Sequence, residues 1–339
     1  MDQTTLSRRS MFKVAGVAGV AAAGLAWPSS AALAVPMSRR VVDGPGKQPA
    51  GFYRFTVGSV EATVISDGFG AIPGPHPMLA PEATKEELGK VLHDTYQPED
   101  KAPIEFNPVL FKLGSELVLI DTGSGGDGKG TTGRLRDNLT ASGVKPEQVT
   151  AIVITHAHGD HVGGLLTPDK QLAFPNAKIF SNKAEHDFWM GAAEMPNSRL
   201  PAENRKGMAA GAKATLEAVK SKIELVKPGD KILKSLELVD SAGHTPGHVC
   251  VAVDAGGEKL FVMADIVHNP VTMFHNPDWT IAFDTDPKMA ASARKRIFPM
   301  LVADRARVLA YHLPWPGLGH VGRHGDSYWW AQEAWSWGA

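Results

Sequence analysis

The chain is 339 residues long, 43% hydrophobic and 21% charged, with 35 basic and 36 acidic residues and a formal charge of −1. This is globular composition, with apolar content for one large domain or two small ones, and it excludes a disordered or fibrous chain. A near-zero charge with no sustained basic stripe excludes nucleic acid as an expected partner, and the single cysteine, Cys250, excludes an intrachain disulfide.

From the amino terminus, Ser7-Arg8-Arg9-Ser10-Met11-Phe12-Lys13 resembles a twin-arginine export signal. The apolar run that follows, residues 14–27, is short and rich in Ala and Gly for a membrane span, and Ala32-Leu33-Ala34 reads as an A-x-A cleavage site. Residues 1–34 are therefore expected to be a removed signal peptide, which makes the mature protein periplasmic or secreted and leaves it no membrane span. Residues 35–50, punctuated by Pro and Gly, read as a flexible lead-in, and one folded domain is expected over 51–339.

Residues 51–67 alternate like a hairpin turned at Gly58-Ser59. The proline-rich stretch 72–81 reads as a surface loop, a candidate lid, and 81–94 as a helix with acids in its first turns. A second hairpin is expected over 108–123, a helix over 134–143 and a strand over 149–155. Then come a short strand within 172–180, a helix capped by Asn182 and a helix ending near Lys222. Strand-like runs at 223–226, 236–241, 249–253 and 260–263 precede a helix over 287–302 and a last strand at 307–311. The Trp-rich tail, with Trp329, Trp330, Trp335 and Trp337, is expected to pack on its own chain, and a homodimer remains open. Alternation of strands and helices argues an α/β fold of helices layered over sheets. Residues 107–122 and 248–267 resemble each other, each a strand, a Gly turn beside Glu, and a strand ending in Asp.

The densest chemistry lies in Thr155-His-Ala-His-Gly-Asp-His-Val-Gly-Gly164, where a buried-type strand ends. His156 and His158 are two apart and point the same way if strand geometry persists, with Asp160 and His161 on the turn beyond. Imidazole and carboxylate suit zinc and other first-row metals. Four such donors in six residues exceed what one ion takes from so short a loop, which points to two ions.

The H-x-H-x-D-H spacing resembles the metallo-β-lactamase fold superfamily. That resemblance implies an αββα sandwich in a single catalytic domain and two divalent ions, zinc being expected while manganese, iron and cobalt suit the same donors. It assigns His156, His158, His244 and Asp265 to one ion and Asp160, His161, Asp265 and His312 to the other. Asp121 and His248 are implied as supporting residues that orient ligands.

Such a pair implies direct attack by metal-bound hydroxide on a carbonyl carbon or phosphorus, with Asp160 and Asp265 as candidate proton carriers. An Asp at position 265, where β-lactamases of the fold carry Cys or Ser, points away from antibiotics. The chain further resembles methyl parathion hydrolase and its exported relatives, through G-F-Y-R-F-T-V-G at Gly51, L-V-L-I-D-T-G at Leu117, Q-L-A-F-P-N-A at Gln171 and P-G-L-G-H at Pro316. Trp189 matches a pocket aromatic of that subgroup, whereas the Gly-rich loop 123–133 lacks the phenylalanine of the organophosphate hydrolase. His268 stands where acyl-homoserine lactonases carry a tyrosine, and as a neutral imidazole it could donate a hydrogen bond to the substrate oxygen. Phe274 is a further candidate pocket wall.

The expected activity is hydrolysis of lactones or aryl carboxylic esters with phosphotriesters as a side activity. A dedicated organophosphate hydrolase is the runner-up, and a redox or metal-binding protein on the same fold is the alternative from another class.

Overall fold

The computed structural model describes residues 51–336; the expected signal segment, the lead-in and Trp337 lie outside them. The chain opens on a hairpin of β1 (Phe52–Val57) and β2 (Val60–Ile65). A separate ribbon of β3 (Gly68–Pro73) and β4 (Lys101–Phe106) brackets α1 (Pro75–Met78) and α2 (Lys85–Asp94). The second hairpin, β5 (Val109–Leu113) and β6 (Glu116–Ile120), leads through α3 (Leu135–Ala141) to β7 (Ala151–Ile154). After α4 (Gly159–Val162) come β8 (Lys178–Asn182), α5 (Lys183–Met190), α6 (Ala202–Val219) and β9 (Ile223–Val226). The second half contains β10 (Lys231–Ile232), β11 (Leu236–Asp240), β12 (Val249–Asp254), β13 (Lys259–Ala264), α7 (Thr272–His275) and α8 (Pro287–Ala303). It closes on β14 (Arg307–Ala310), β15 (Leu318–His324) and β16 (Ser327–Gln332).

One seven-stranded sheet has the order β1-β2-β5-β6-β7-β8-β9 and the other β10-β11-β12-β13-β14-β15-β16. Each begins antiparallel and turns parallel at its fourth pair, β6 to β7 in one and β13 to β14 in the other. The two internally similar segments occupy matching places, as β5–β6 and β12–β13. Their apolar patterns show why the sheets pair: Val249, Val251 and Val253 face the other sheet, while Cys250 on the alternate positions faces the helices. The sandwich core joins Phe111 and Val153 of one sheet to Val262 and Leu309 of the other. On the outer faces, Leu139, Leu216 and Val219 of α3 and α6 cover the first sheet, and Leu88, Phe298 and Leu301 of α2 and α8 cover the second. This is the αββα layering expected.

The helix starts follow local chemistry. Thr84 caps α2 in a capping box with Glu87, and Asn182 caps α5 through the Ala184 amide.

Several expectations need correction. Strand β14 is not the last: β15 and β16 follow and complete the second sheet. Their pattern is obscured by Gly319 and Gly322, across which the Trp330 and Trp329 rings lie in place of side chains. Part of the proline-rich segment is not a free surface loop, because residues 68–73 pair as β3 and Leu79, fully buried, bridges to Ile281. The strand sought within 172–180 begins only at Lys178. Among the aromatic tail residues, Trp335 packs on Tyr53 at 5.4 Å between ring centroids, as expected of a tail folded on its own chain. Among the described residues no helix is long and apolar enough to cross a membrane.

Phe111 is completely buried between the sheets. Phe111→Ala is expected to lower unfolding free energy by about 3–5 kcal/mol through lost burial and the cavity left behind, read from denaturant unfolding followed by circular dichroism.

Candidate metal centre

The site is assembled from strand ends of both sheets. Strand β7 delivers Thr155 and His156, and the single turn of α4 carries Asp160 and His161, with His158 as its extended N-terminal cap. The two glycines after this turn are required by close approach: a β-carbon on Gly164 would overlap the Thr122 carbonyl oxygen. In the second sheet, Ala264 adopts a left-handed φ of 46° at a register shift between β13 and β14, and this turns Asp265 off the strand end. Asp121 ends β6 with a left-handed φ of 60°, a conformation Asp tolerates and that recurs at functional sites.

All seven expected ligands converge, and all but Asp160 are buried. His156 Nε2 lies 3.1 Å from His158 Nδ1, which lies 2.9 Å from His244 Nε2. Asp265 Oδ2 is 3.7 Å from His156 Nε2 and 3.3 Å from His244 Nε2. On the other side, His161 Nε2 and His312 Nε2 stand 3.5 and 3.4 Å from Asp160 Oδ2. Asp265 reaches this set too, with Oδ1 3.2 Å from His161 Nε2 and Oδ2 3.0 Å from His312 Nε2. Neighbouring ligands of a tetrahedral ion held at about 2.0–2.1 Å are about 3.3 Å apart, so these spacings match the edges of such a polyhedron.

The proton positions follow from the outer partners. His161 Nδ1 donates to Asp121 Oδ2 at 2.8 Å, His244 Nδ1 to Asp284 Oδ1 at 2.7 Å, and His312 Nδ1 to the Glu105 carbonyl at 2.9 Å. Each partner accepts only, so in the neutral ring the inner Nε2 of all three is a lone pair. Those lone pairs face the oxygens of Asp160 and Asp265, and His161 Nε2, His158 Nε2 and Asp265 Oδ1 are buried with no hydrogen-bond partner. Acceptor facing acceptor at this range is repulsive unless a cation lies between, and the donor set therefore fits divalent metal ions.

Titration tendencies express the same demand for positive charge. Burial opposes charge on His161 and His244, but the Asp265 carboxylate, with Asp160 and Asp121 or Asp284, outweighs it. His161 is held well above the usual histidine range and His244 is raised to about 9. Burial and neighbouring imidazoles keep His156 and His158 well below it. Asp265 is held well below the usual carboxylate range, His161 and His312 overcoming the effect of burial.

Both expected supporting residues are in place. Asp121 accepts from the Thr155 amide and hydroxyl as well as from His161. His248 Nε2 accepts from the Asp265 amide at 3.1 Å while its other nitrogen faces Ser241, and burial pushes its pKa down to about 3. His268 also joins the cluster: Nε2 is 3.1 Å from Asp265 Oδ2, the ring stacks on His312, and Nδ1 is buried without a partner.

Two candidate pocket residues require correction. Trp189 is fully buried in the core beneath the first sheet, and its Nε1 donates to Glu185 Oε1 at 2.6 Å. Phe274 is fully buried and stacked on Phe298 at 5.1 Å. Neither presents a face to an open pocket in this conformation. Trp189 still lies edge-on to the His158 ring at 5.8 Å, Tyr311 lies against His161 at 4.0 Å, and Phe106 of β4, half-buried, is edge-on to the His312 ring at 5.4 Å.

Sequence reading missed Asp284, Glu185, Tyr311 and the Glu105 carbonyl. Asp284 orients His244 from forty residues away, and the Tyr311 hydroxyl donates to the Asp160 carbonyl at 2.6 Å. Only the Tyr311–His312 adjacency offered a signal for any of these.

The solved structure of AidC, described as a dizinc quorum-quenching lactonase in complex with an acylated homoserine product, is similar over 84% of this chain and 98% of its own, with a TM-score of 0.81 and 32% identity. That of hydrolase AbOPH, described as a member of the beta-lactamase superfamily, is similar over 86% of this chain and 100% of its own, with a TM-score of 0.78 and 31% identity. A Mycobacterium tuberculosis protein described as a "probable metallo-hydrolase" is 30% identical over 187 residues, 49% of this chain and 57% of that relative. The chain thus spans little more than half the length of that curated relative. The family model of the metallo-beta-lactamase superfamily matches residues 107–334. That match runs over well more than half of the sequence and includes every donor of the centre, and this chain belongs to the metallo-beta-lactamase superfamily.

Proposed function

We propose that the chain is a dinuclear metal-dependent hydrolase of lactones or aryl carboxylic esters, with phosphotriesters as secondary substrates. The observation that carries this reading is the sharing of Asp265 between two donor sets, His156, His158 and His244 on one side and Asp160, His161 and His312 on the other. Zinc is the ion we assign, in keeping with the His and Asp donors and the dizinc description of AidC. Lewis acidity at the reacting carbonyl and activation of the attacking water are what bound divalent ions supply at such a centre.

The residues of the chain orient and gate that chemistry. Asp121, Asp284 and the Glu105 carbonyl hold three imidazoles with their inner nitrogens turned inward. Asp160, the most open member of the centre with 30% of its side chain exposed, marks the side from which substrate enters. Phe106 lies beside that entrance as an apolar surface for an acyl or aryl group.

His268 is the group we assign to the substrate oxygen. Burial, partly offset by Asp265, lowers its pKa to about 4, so the ring is neutral at physiological pH with a single N–H; Nε2 faces Asp265 Oδ2 at 3.1 Å, and the substrate oxygen would take that hydrogen bond in place of the carboxylate. A lactone preference is supported by the lactonase description of AidC; placement with the methyl parathion hydrolase-like enzymes is supported by the motifs along the mature chain.

Fully loaded protein is expected to carry two ions per chain by mass spectrometry, and fewer than two would sink the dinuclear reading. In a parallel assay a lactone and an aryl ester are expected to turn over faster than a phosphotriester. The reverse order would make organophosphate hydrolysis the primary activity. His268→Ala is expected to reduce kcat by about 10²-fold, the cost of one oxyanion donor, with metal content unchanged; an unaltered kcat removes His268 from the mechanism. We further propose twin-arginine export, supported by Ser7–Lys13 and the Ala32-Leu33-Ala34 site. Amino-terminal sequencing of exported protein is then expected to begin at Val35, and an intact amino terminus on cytoplasmic protein would refute export.

A further inference from the structure

Glu185 is the third residue of α5 after the Asn182 cap, yet only 1% of it is exposed. A carboxylate placed there without partners would be strongly disfavoured. Among the described residues no Lys, Arg or His pairs with it; four hydrogen bonds hold it instead. Oε1 accepts from the Ala157 amide at 2.8 Å and from Trp189 Nε1 at 2.6 Å. Oε2 accepts from the Thr245 hydroxyl at 2.6 Å and from the Gly247 amide at 2.9 Å.

The identity of those donors matters. Ala157 lies between His156 and His158, and Thr245 directly follows His244. Asn182 adds a bond from Nδ2 to the Gly247 carbonyl at 2.7 Å, and a β-carbon on Gly247 would overlap the Glu185 backbone. The start of α5 is thus locked to both loops that carry the three-histidine set. The other set, Asp160, His161 and His312, is held by Asp121, Tyr311 and Glu105, and has no bond to Glu185.

We propose that Glu185 is the positioning residue of the three-histidine half of the centre, one carboxylate that sets the spacing between the His156–His158 loop and the His244 loop. This rests on the two-ion reading above. A metal site tolerates displacements of only about 0.5 Å, so two loops from different sheets need a common reference. A carboxylate supplies it because all four donors point at acceptors; the amide of a Gln turns an NH2 group toward either an N–H or a hydroxyl. Trp189 belongs to this device as one of the four donors, which accounts for its burial.

The test is titration of Zn²⁺ into metal-free full-length protein with a competing chelator. Wild type is expected to bind two ions. In Glu185→Gln the affinity of one ion is expected to fall about 10–100-fold, the range for outer partners of metal ligands, while the other ion keeps its affinity. Asp160→Asn is expected to weaken the other ion, so the two substitutions separate the half-sites. Leu216→Ala, a fully buried core change in α6, controls for a general loss of stability and is expected to leave both affinities unchanged. Two wild-type affinities in Glu185→Gln overturn the proposal and leave the two-ion reading intact, as does an equal loss in Leu216→Ala. Fewer than two ions in wild type overturns the two-ion reading itself. If Glu185→Gln does not fold, Thr245→Val removes one donor and is expected to weaken the same ion severalfold; unchanged affinity overturns the proposal equally.

Discussion

The rest of the site depends on one electrostatic constraint: two carboxylates, Asp160 and Asp265, sit among imidazoles whose outer nitrogens are already committed as donors. The inner nitrogens are then acceptors facing acceptors, an arrangement that a low-dielectric interior makes costly and a divalent cation makes favourable. Asp265 is the hinge of this arrangement, because its two oxygens approach both sets. Removing the outer acceptors would free the rings to exchange tautomers, so Asp121, Asp284 and the Glu105 carbonyl belong to the metal chemistry as much as the ligands do.

The sandwich explains how such a centre arises between two sheets. Both change from antiparallel to parallel pairing after the fourth strand, at β6 and β13, and an acid follows each of these strands. Asp121 and Asp265 thus stand at corresponding ends, one supporting an imidazole and the other shared by both donor sets. The left-handed backbone at Asp121 and Ala264 breaks the strands there and directs the acids to the seam rather than along the sheet. Packing of the inner faces, with Phe111, Val153, Val262 and Leu309 at their contact, keeps those ends in register.

Aromatic residues show how burial overrides sequence expectation. Trp189 and Phe274 lie near the centre in the chain's order and have the character of pocket walls, but both are closed into helix–sheet cores. Phe106, which drew no notice in the sequence, reaches His312 because the β3–β4 ribbon is folded back so that Glu105 and Asn107 bond the backbone beside His312. The glycines that hid β15 act in the same way: Gly319 and Gly322 reduce the apolar pattern of the strand while making room for Trp330 and Trp329.

Much of this protein is written locally. The layered α/β class, both early hairpins and the four donors of the Thr155–Gly164 loop were legible because strand periodicity is two and those donors lie within six residues, whereas His244, Asp265 and His312 were reached only through the family resemblance. What only the tertiary structure decided lies in contacts between distant segments. Asp284 reaches His244 across forty residues, Glu185 reaches Thr245 across sixty, and the last two strands pair only because their glycines admit indole rings from the neighbouring strand. A hydrogen bond between remote segments leaves no periodic mark in either of them, so the residues that orient the ligands became visible only when the two sheets were brought together.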